Sequence, residues 1–172
     1  MRSSSLPGLD CFWGYAHICS KNTLRHSSFH SDGPDFCTGI FLYGCNRIIL
    51  KLDITKIESR NLEICVLGKE SGYTAIQIDF LSKIITLDKS HGDHYEGGRM
   101  NCPFELHDGC LELCILVDHS SVEVYVNRGE KCITTNVYSD ENQTECWIRT
   151  PYKKAVVNQS QVDFLNSSWE MQ

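Results

Sequence analysis

No apolar run in this 172-residue chain approaches the ~18 consecutive residues of a membrane-spanning helix. The absence predicts no membrane partner. The opening residues, Met1-Arg-Ser-Ser-Ser-Leu-Pro7, also lack the continuous apolar core of a secretory signal, and the expected location is cytoplasmic. Positive charge is scarce: 16 Lys and Arg stand against 22 Asp and Glu, for a net charge of −6. Nucleic-acid binding needs a basic face, so a nucleic acid is not an expected partner. Helical periodicity is missing as well, as are internal repeats and low-complexity tracts. There are ten cysteines but no Cys-x-x-Cys pair. The spacing of Cys102, Cys110 and Cys114 matches no common zinc module. No metal and no cofactor are expected. Disulfide-dense scaffolds are usually short secreted chains. Cys65, Cys114 and Cys132 fall inside strand-like runs, where a free thiol packs as a small hydrophobe. The cysteines are therefore expected to be reduced.

What the chain does have is alternation. Residues 1–38 read as an irregular N-terminal segment, rich in Ser, His, Gly and Cys and without a sustained period. From residue 39 to 172 the pattern changes. Ile48, Leu50, Leu52 and Ile54 alternate with Arg47, Lys51 and Asp53, the mark of a half-buried strand. Leu62, Ile64 and Val66 repeat it, and Tyr73–Asp79 reads as a third strand. Leu81-Ser-Lys83 turns the chain into Ile84–Asp88. Residues 90–103 read as a polar, glycine-rich loop, and three strands follow at 111–117, 122–126 and 131–138. A last pair is expected at Cys146–Arg149 and Val162–Leu165. Short strands with a turn roughly every ten residues indicate an all-β protein. The expected fold is a two-sheet antiparallel β-sandwich, with Ile48, Leu50, Leu52, Leu62, Ile64, Ile76, Ile78, Leu113, Ile115, Val122, Val124 and Val126 facing inward.

The most specific stretch is Asp118-His-Ser-Ser-Val-Glu-Val-Tyr-Val-Asn-Arg-Gly129, a polar corner between hydrophobic runs that ends in a glycine turn. Together with Val117 it resembles the signature hairpin of the C-terminal β-sandwich of glycoside hydrolase family 32. That family comprises the invertases, levanases, inulinases and sucrose-6-phosphate hydrolases, and its hairpin runs valine, aspartate, arginine, two serines, valine, glutamate, a β-former, phenylalanine, valine, asparagine and glycine. The resemblance extends in order and spacing over residues 40–172. It implies a sandwich of the concanavalin or lectin-like jelly-roll type and a place in sucrose, levan or other fructan metabolism. In those enzymes the sandwich is an accessory to a catalytic propeller. The family's nucleophile lies in a motif containing Asp-Pro, and a second aspartate also precedes a proline. This chain contains no Asp-Pro dipeptide. Glu145-Cys146 spells the family's acid/base pair, but it follows the hairpin, whereas the family's pair precedes the sandwich. No catalytic residue is assigned, and the chain alone is expected to be inactive although its relatives are β-fructofuranosidases.

Two readings of the polar residues stay open. In the first, Asp118 and Glu123 at the hairpin corner bind a fructan or sucrose-type sugar, with Arg99 donating to the same ring and Tyr95 giving it an apolar face. The resemblance to fructan-binding sandwiches implies such a set, and the chain would then be an autonomous carbohydrate-binding module. In the second, Asp118 caps the turn through backbone N–H groups and Glu123 pairs with a neighbouring strand or with a partner, the catalytic propeller among them. His91-Gly-Asp-His94 reads as a solvated loop, since no third metal ligand is evident beside it.

Overall fold

The computed structural model describes residues 17–18, 23–26, 29–30, 36–41, 45–69, 72–92, 98–140, 143–150 and 156–165. In chain order the strands are His17–Ile18 (β1), Thr23–His26 (β2), Phe29–His30 (β3), Phe36–Phe41 (β4), Cys45–Asp53 (β5), Asn61–Lys69 (β6), Gly72–Asp79 (β7), Ile84–Asp88 (β8), Arg99–Pro103 (β9), Cys110–Val117 (β10), Ser121–Val126 (β11), Lys131–Asn136 (β12), Glu145–Thr150 (β13) and Val156–Leu165 (β14). The helical residues among those described are two single 3-10 turns, Ile54–Lys56 and Asn127–Gly129. No helix of the described residues is long and apolar enough to cross a membrane.

The strands form two antiparallel sheets. The larger runs β1-β2-β14-β5-β10-β11-β12, with β3 also on β14; the smaller runs β4-β13-β6-β7-β8-β9. Non-consecutive neighbours such as β14 and β5, or β13 and β6, show that the chain crosses between sheets, as a jelly roll requires. Side chains alternate across each strand, and burial follows that period. In β10 Leu111, Leu113, Ile115 and Val117 are buried, while the residues between them are half-buried. In β11 Val122, Val124 and Val126 are buried. All twelve side chains that alternation assigns to the interior lie in the core, and Ile85, Leu87 and Phe104 complete it from the smaller sheet and its continuation. On one side of the sandwich the terminal strands β12 and β9 pack together. There Lys89 Nζ donates to the Asn136 carbonyl at 3.1 Å.

Two segments differ from the sequence expectation. The stretch 1–38 reads as irregular, yet β1, β2 and β3 lie within it and β4 begins in it; β2 pairs with β14, and β4 with β13. Strands of two to four residues, as in β1 to β3, are too short to show a period, and Phe-Cys-Thr-Gly-Ile-Phe in β4 does not alternate. The stretch 90–103 reads as a loop, but its end is β9, in register with β8 from Ile84–Pro103 to Asp88–Arg99. β9 carries Arg, Asn and Pro because it is a sheet edge, where a polar face and a missing N–H are tolerated.

The hairpin signature has a local cause. Asn127 adopts φ 48° and Arg128 φ 59°, a left-handed region that asparagine tolerates better than most residues. The Asn127 side chain is nearly buried. Its Nδ2 donates to the Glu105 carbonyl at 2.8 Å, and its Oδ1 accepts the Glu112 N–H at 3.2 Å. One amide thus ties the end of β11 to the start of β10.

Candidate functional site

The hairpin corner is closed by its own backbone. Asp118 N–H donates to the Ser121 carbonyl at 2.9 Å, and the Asp118 carboxylate accepts the His119 N–H at 2.7 Å. This is the turn-capping role of a short carboxylate. Glu123 stands in β11 opposite Leu116 and Thr134. It points away from the core, because Val122 and Val124 on either side of it point inward. The Tyr125 hydroxyl donates to Glu123 Oε2 at 2.5 Å. That hydrogen bond, reinforced by the carboxylate charge, pushes the Tyr125 pKa up to about 12.

Arg99 lies on the other sheet. It opposes Asp88 across the β8–β9 pair, and its Nε donates to Asp88 Oδ2 at 2.7 Å. The Asp88 side chain is completely buried. Burial works to raise its pKa, but the Ser90 hydroxyl and N–H and the Arg99 guanidinium outweigh burial and hold it below the usual carboxylate range. Arg99 and Glu123 therefore occupy the outer faces of opposite sheets, with the core between sheets roughly 10 Å apart. The structure keeps Asp118 and Glu123 on one hairpin and does not bring Arg99 to the face of Glu123. Tyr95 lies outside the described residues, as do Asp93 and His94. Glu145 falls in β13 opposite Phe41 and Gly68, beside the buried Cys146.

The outer face of the smaller sheet is also rich in polar side chains. Register places Arg149, Glu63, Gln77, Thr86 and Asn101 in one row across β13, β6, β7, β8 and β9. Four strand spacings make this row roughly 19 Å long. Arg149 Nε donates to Glu63 Oε1. Gln77 Nε2 donates to Glu63 Oε2 at 2.9 Å, and the Thr86 hydroxyl to Asn101 Oδ1 at 2.8 Å. Burial acts to raise the Glu63 pKa, yet the bonds from Gln77, Arg149 and Cys65 together depress it. Burial also pushes the Cys65 thiol up, and the Glu63 carboxylate adds to the effect.

The neighbouring row on the same face is Trp147, Cys65, Ala75, Asp88 and Arg99. Cys65 and Ala75 are small and fully buried. Trp147 lies over Gly68 at one end. Its ring meets the edge of Tyr73 at 5.5 Å between centroids, and Tyr73 stacks on His91 at 4.7 Å. Arg149 sits 5.7 Å from the Tyr73 ring centre and donates to its hydroxyl at 3.2 Å. Over the first row lies a groove of about 660 Å³ lined by Asn61, Glu63, Gln77, Asp79, Thr86 and Arg149, with Trp147 at its β13 end. Alternation around Leu62, Ile64 and Val66 does place Glu63 outward. The pairing of Glu63 with Arg149, 86 residues apart, has no local signal.

A second polar cup, about 340 Å³, lies at the Asn127 turn between Lys51, His107, Glu112, Arg128 and Glu130. Its charges pair internally: Lys51 and Arg128 with Glu112 at 3.2 and 3.0 Å, and His107 with Glu130 at 2.9 Å.

Comparison with known proteins supplies a family. The family model described as glycosyl hydrolases family 32 C terminal matches residues 22–163. A probable sucrose-6-phosphate hydrolase of Psychromonas ingrahamii is 33% identical over 76 residues, covering 44% of this chain and 14% of that protein. The sucrose-6-phosphate hydrolase of Staphylococcus xylosus is 30% identical over 102 residues, covering 55% of this chain and 20% of that protein. The chain thus matches no more than about a fifth of the length of these relatives. Among solved structures, the exo-inulinase of Aspergillus awamori superposes with a TM-score of 0.75 at 16% identity, over 90% of this chain and 31% of that one. That likeness concerns the fold. With the sandwich, the Asn127-locked hairpin and a family match over most of the chain in agreement, this chain belongs to the C-terminal domain family of glycosyl hydrolase family 32.

Proposed function

We propose that this chain is the accessory, non-catalytic sandwich of a β-fructofuranosidase-type glycoside hydrolase of sucrose or fructan metabolism, and that it works by packing against a catalytic propeller. The observation that carries this reading is the outer face of the larger sheet. Ile49, Cys114 and Tyr125 form one row across β5, β10 and β11, and Leu116 stands in the next row opposite Glu123. All four are half-buried side chains on the face turned away from the core. A partner covering them removes apolar area from water, worth about 25 cal/mol per Å². The small share of each relative that the chain matches supports the same reading.

A retaining glycosidase needs a nucleophilic and an acid/base carboxylate ~5 Å apart. The sequence has no Asp-Pro dipeptide, and Glu145 has only the cysteine that follows it to recommend it. Cys65, Cys102, Cys110, Cys114 and Cys132 are free thiols. This fits the reducing cytoplasm as the place of action.

The test has two parts. Purified chain incubated with sucrose, inulin and levan is expected to release no reducing sugar. Turnover that survives stringent purification and vanishes in Glu145→Gln overturns the non-catalytic reading. Mixed with the Psychromonas relative truncated before its matched segment, the chain is expected to form a 1:1 complex in analytical ultracentrifugation. Leu116→Glu is expected to abolish the complex, and indifference to that change places the contact elsewhere.

A second reading is capture of a fructan or sucrose-type sugar. In its hairpin form Asp118 and Glu123 hold the ring, with Arg99 and Tyr95 as the further ligands. The placement of Arg99 on the opposite outer face favours instead a site on the smaller sheet.

A further inference from the structure

We infer that the groove on the outer face of the smaller sheet is a binding site for a neutral oligosaccharide, with Trp147 as the stacking wall and Glu63, Gln77, Arg149 and Asn61 as the hydrogen-bonding floor. The inference rests on the sugar-capture reading and gives it a location and a ligand charge.

Charge comes first. Each described guanidinium on this face is already paired with a carboxylate. Arg149 is bound to Glu63, Arg60 to Asp79 at 3.2 Å and Arg99 to Asp88 at 2.7 Å. A site for a phosphate or a nucleic acid presents cations whose charge the ligand neutralises. Here the protein's own carboxylates have done so. The face suits an uncharged ligand, and a phosphorylated sugar would meet Glu63 and Asp79 with no spare guanidinium among the described residues.

Polarity comes second. Glu63 has two bound oxygens and lone pairs to spare, while Gln77 and Asn61 each present a donor and an acceptor. A ligand matching this floor must both donate and accept at closely spaced points, as vicinal hydroxyls do. The opposite outer face also carries paired charges, Arg47 with Asp163 and Lys51 with Glu112; it differs in the row of Ile49, Cys114 and Tyr125 at its centre, which suits a protein contact.

Shape comes third. Trp147 is held from below by Gly68 and from the side by Tyr73. Its ring is a fixed apolar plate beside the polar row, suited to the C–H face of a pyranose or furanose. Strands on both sides hold the set rigid, which lowers the entropy cost of binding. A volume of about 660 Å³ lies within the range of small-ligand sites, ~300–1,000 Å³, and leaves room for more than one sugar unit.

The experiment uses the full chain and neutral β-2,1- and β-2,6-linked fructo-oligosaccharides of three to five units, with sucrose 6-phosphate as the charged comparison. Binding is followed by calorimetry and by the Trp147 indole resonance. A neutral oligosaccharide is expected to bind at roughly millimolar Kd and to shift that resonance, and sucrose 6-phosphate to bind more weakly. Gln77→Ala and Trp147→Ala are each expected to weaken binding about tenfold or more, and Arg128→Ala at the far turn to leave it intact. Gln77→Ala keeps the test decisive if Trp147→Ala does not fold. Wild-type affinity in Gln77→Ala, with loss in Glu123→Ala, overturns the groove and leaves sugar capture at the hairpin. Tighter binding of the phosphorylated sugar overturns the neutral assignment. No binding of any oligosaccharide overturns both the groove and the sugar-capture reading, and leaves the accessory role untouched.

Discussion

Gly68 is glycine because a ring occupies the place of its side chain. A Cβ there would lie 2.1 and 2.4 Å from two carbons of the Trp147 ring and 3.0 Å from the Glu145 carbonyl oxygen. The ring cannot yield as a flexible tip would, since Tyr73 stands against it. Gly68→Ala therefore must displace Trp147. The cost of such overpacking is about 1–3 kcal/mol, equivalent to a Tm drop of roughly 3–10 °C for a chain of this size. A thermal melt of the variant, with the Trp147 indole resonance recorded beside it, checks both the loss and its cause. An unshifted resonance with an unchanged Tm contradicts the packing. Asn127 is a similar case, where one side chain satisfies two backbone groups at once. In neither residue does the sequence disclose the partner. It discloses only a glycine in a strand and an asparagine before a turn.

The central hairpin β10–β11 is the element on which the core depends. It pairs with β5 on one side and β12 on the other, in continuous register from Leu113–Val126 to Val117–Val122. Val124 is wholly buried and has no polar neighbour in its row, which is Ile48, Ile115, Val124 and Ile133. Val124→Asp introduces a carboxylate without a partner, at a cost of about 4–5 kcal/mol or more. A whole domain is stable by only ~5–15 kcal/mol. The variant is expected to be insoluble or to lose its cooperative denaturant transition. A soluble, cooperatively folding variant would show that the inward face is misassigned. Alternation makes β5 and β11 legible. It fails for β9, because an edge strand with one covered face and polar residues has nothing periodic to show. It fails too for β1 to β3, whose shortness leaves no room for a period, and for β4, whose Phe-Cys-Thr-Gly-Ile-Phe does not alternate.

At the scale of the molecule, acid stability is set by carboxylates held in the charged form. Glu63 and Asp88 both titrate below their ordinary values of 4.5 and 3.8. A carboxylate whose folded pKa is depressed stabilises the fold above its unfolded pKa. That contribution is lost as pH falls through the folded pKa. The denaturation midpoint is thus expected to be insensitive to these two groups from neutrality down to about pH 5 and to fall steeply below about pH 4. Asp88→Asn is expected to lower stability at neutral pH, because the Arg99 and Ser90 bonds lose their charge, and to flatten the acid limb. Chemical denaturation as a function of pH measures both. A midpoint that rises on acidification, or an Asp88→Asn variant with an unaltered acid limb, would contradict the assignment.

The sequence by itself determined the all-β class, the inward faces of β5, β6, β7, β10 and β11, and the family through its hairpin. Each of these is a local matter: a period of two, or a turn whose residues answer to their own φ and to neighbours a few positions away. The tertiary structure decided which polar residues meet. Glu63 finds Arg149 only because β6 and β13 pair, and Asp88 finds Arg99 only because β9 closes the sheet. Arg99 and Glu123 part company for the same reason, since strands assigned to different sheets turn their outward residues to opposite sides of the core. Pairing between distant strands is fixed by burial summed over the whole sandwich, and no window of sequence contains it.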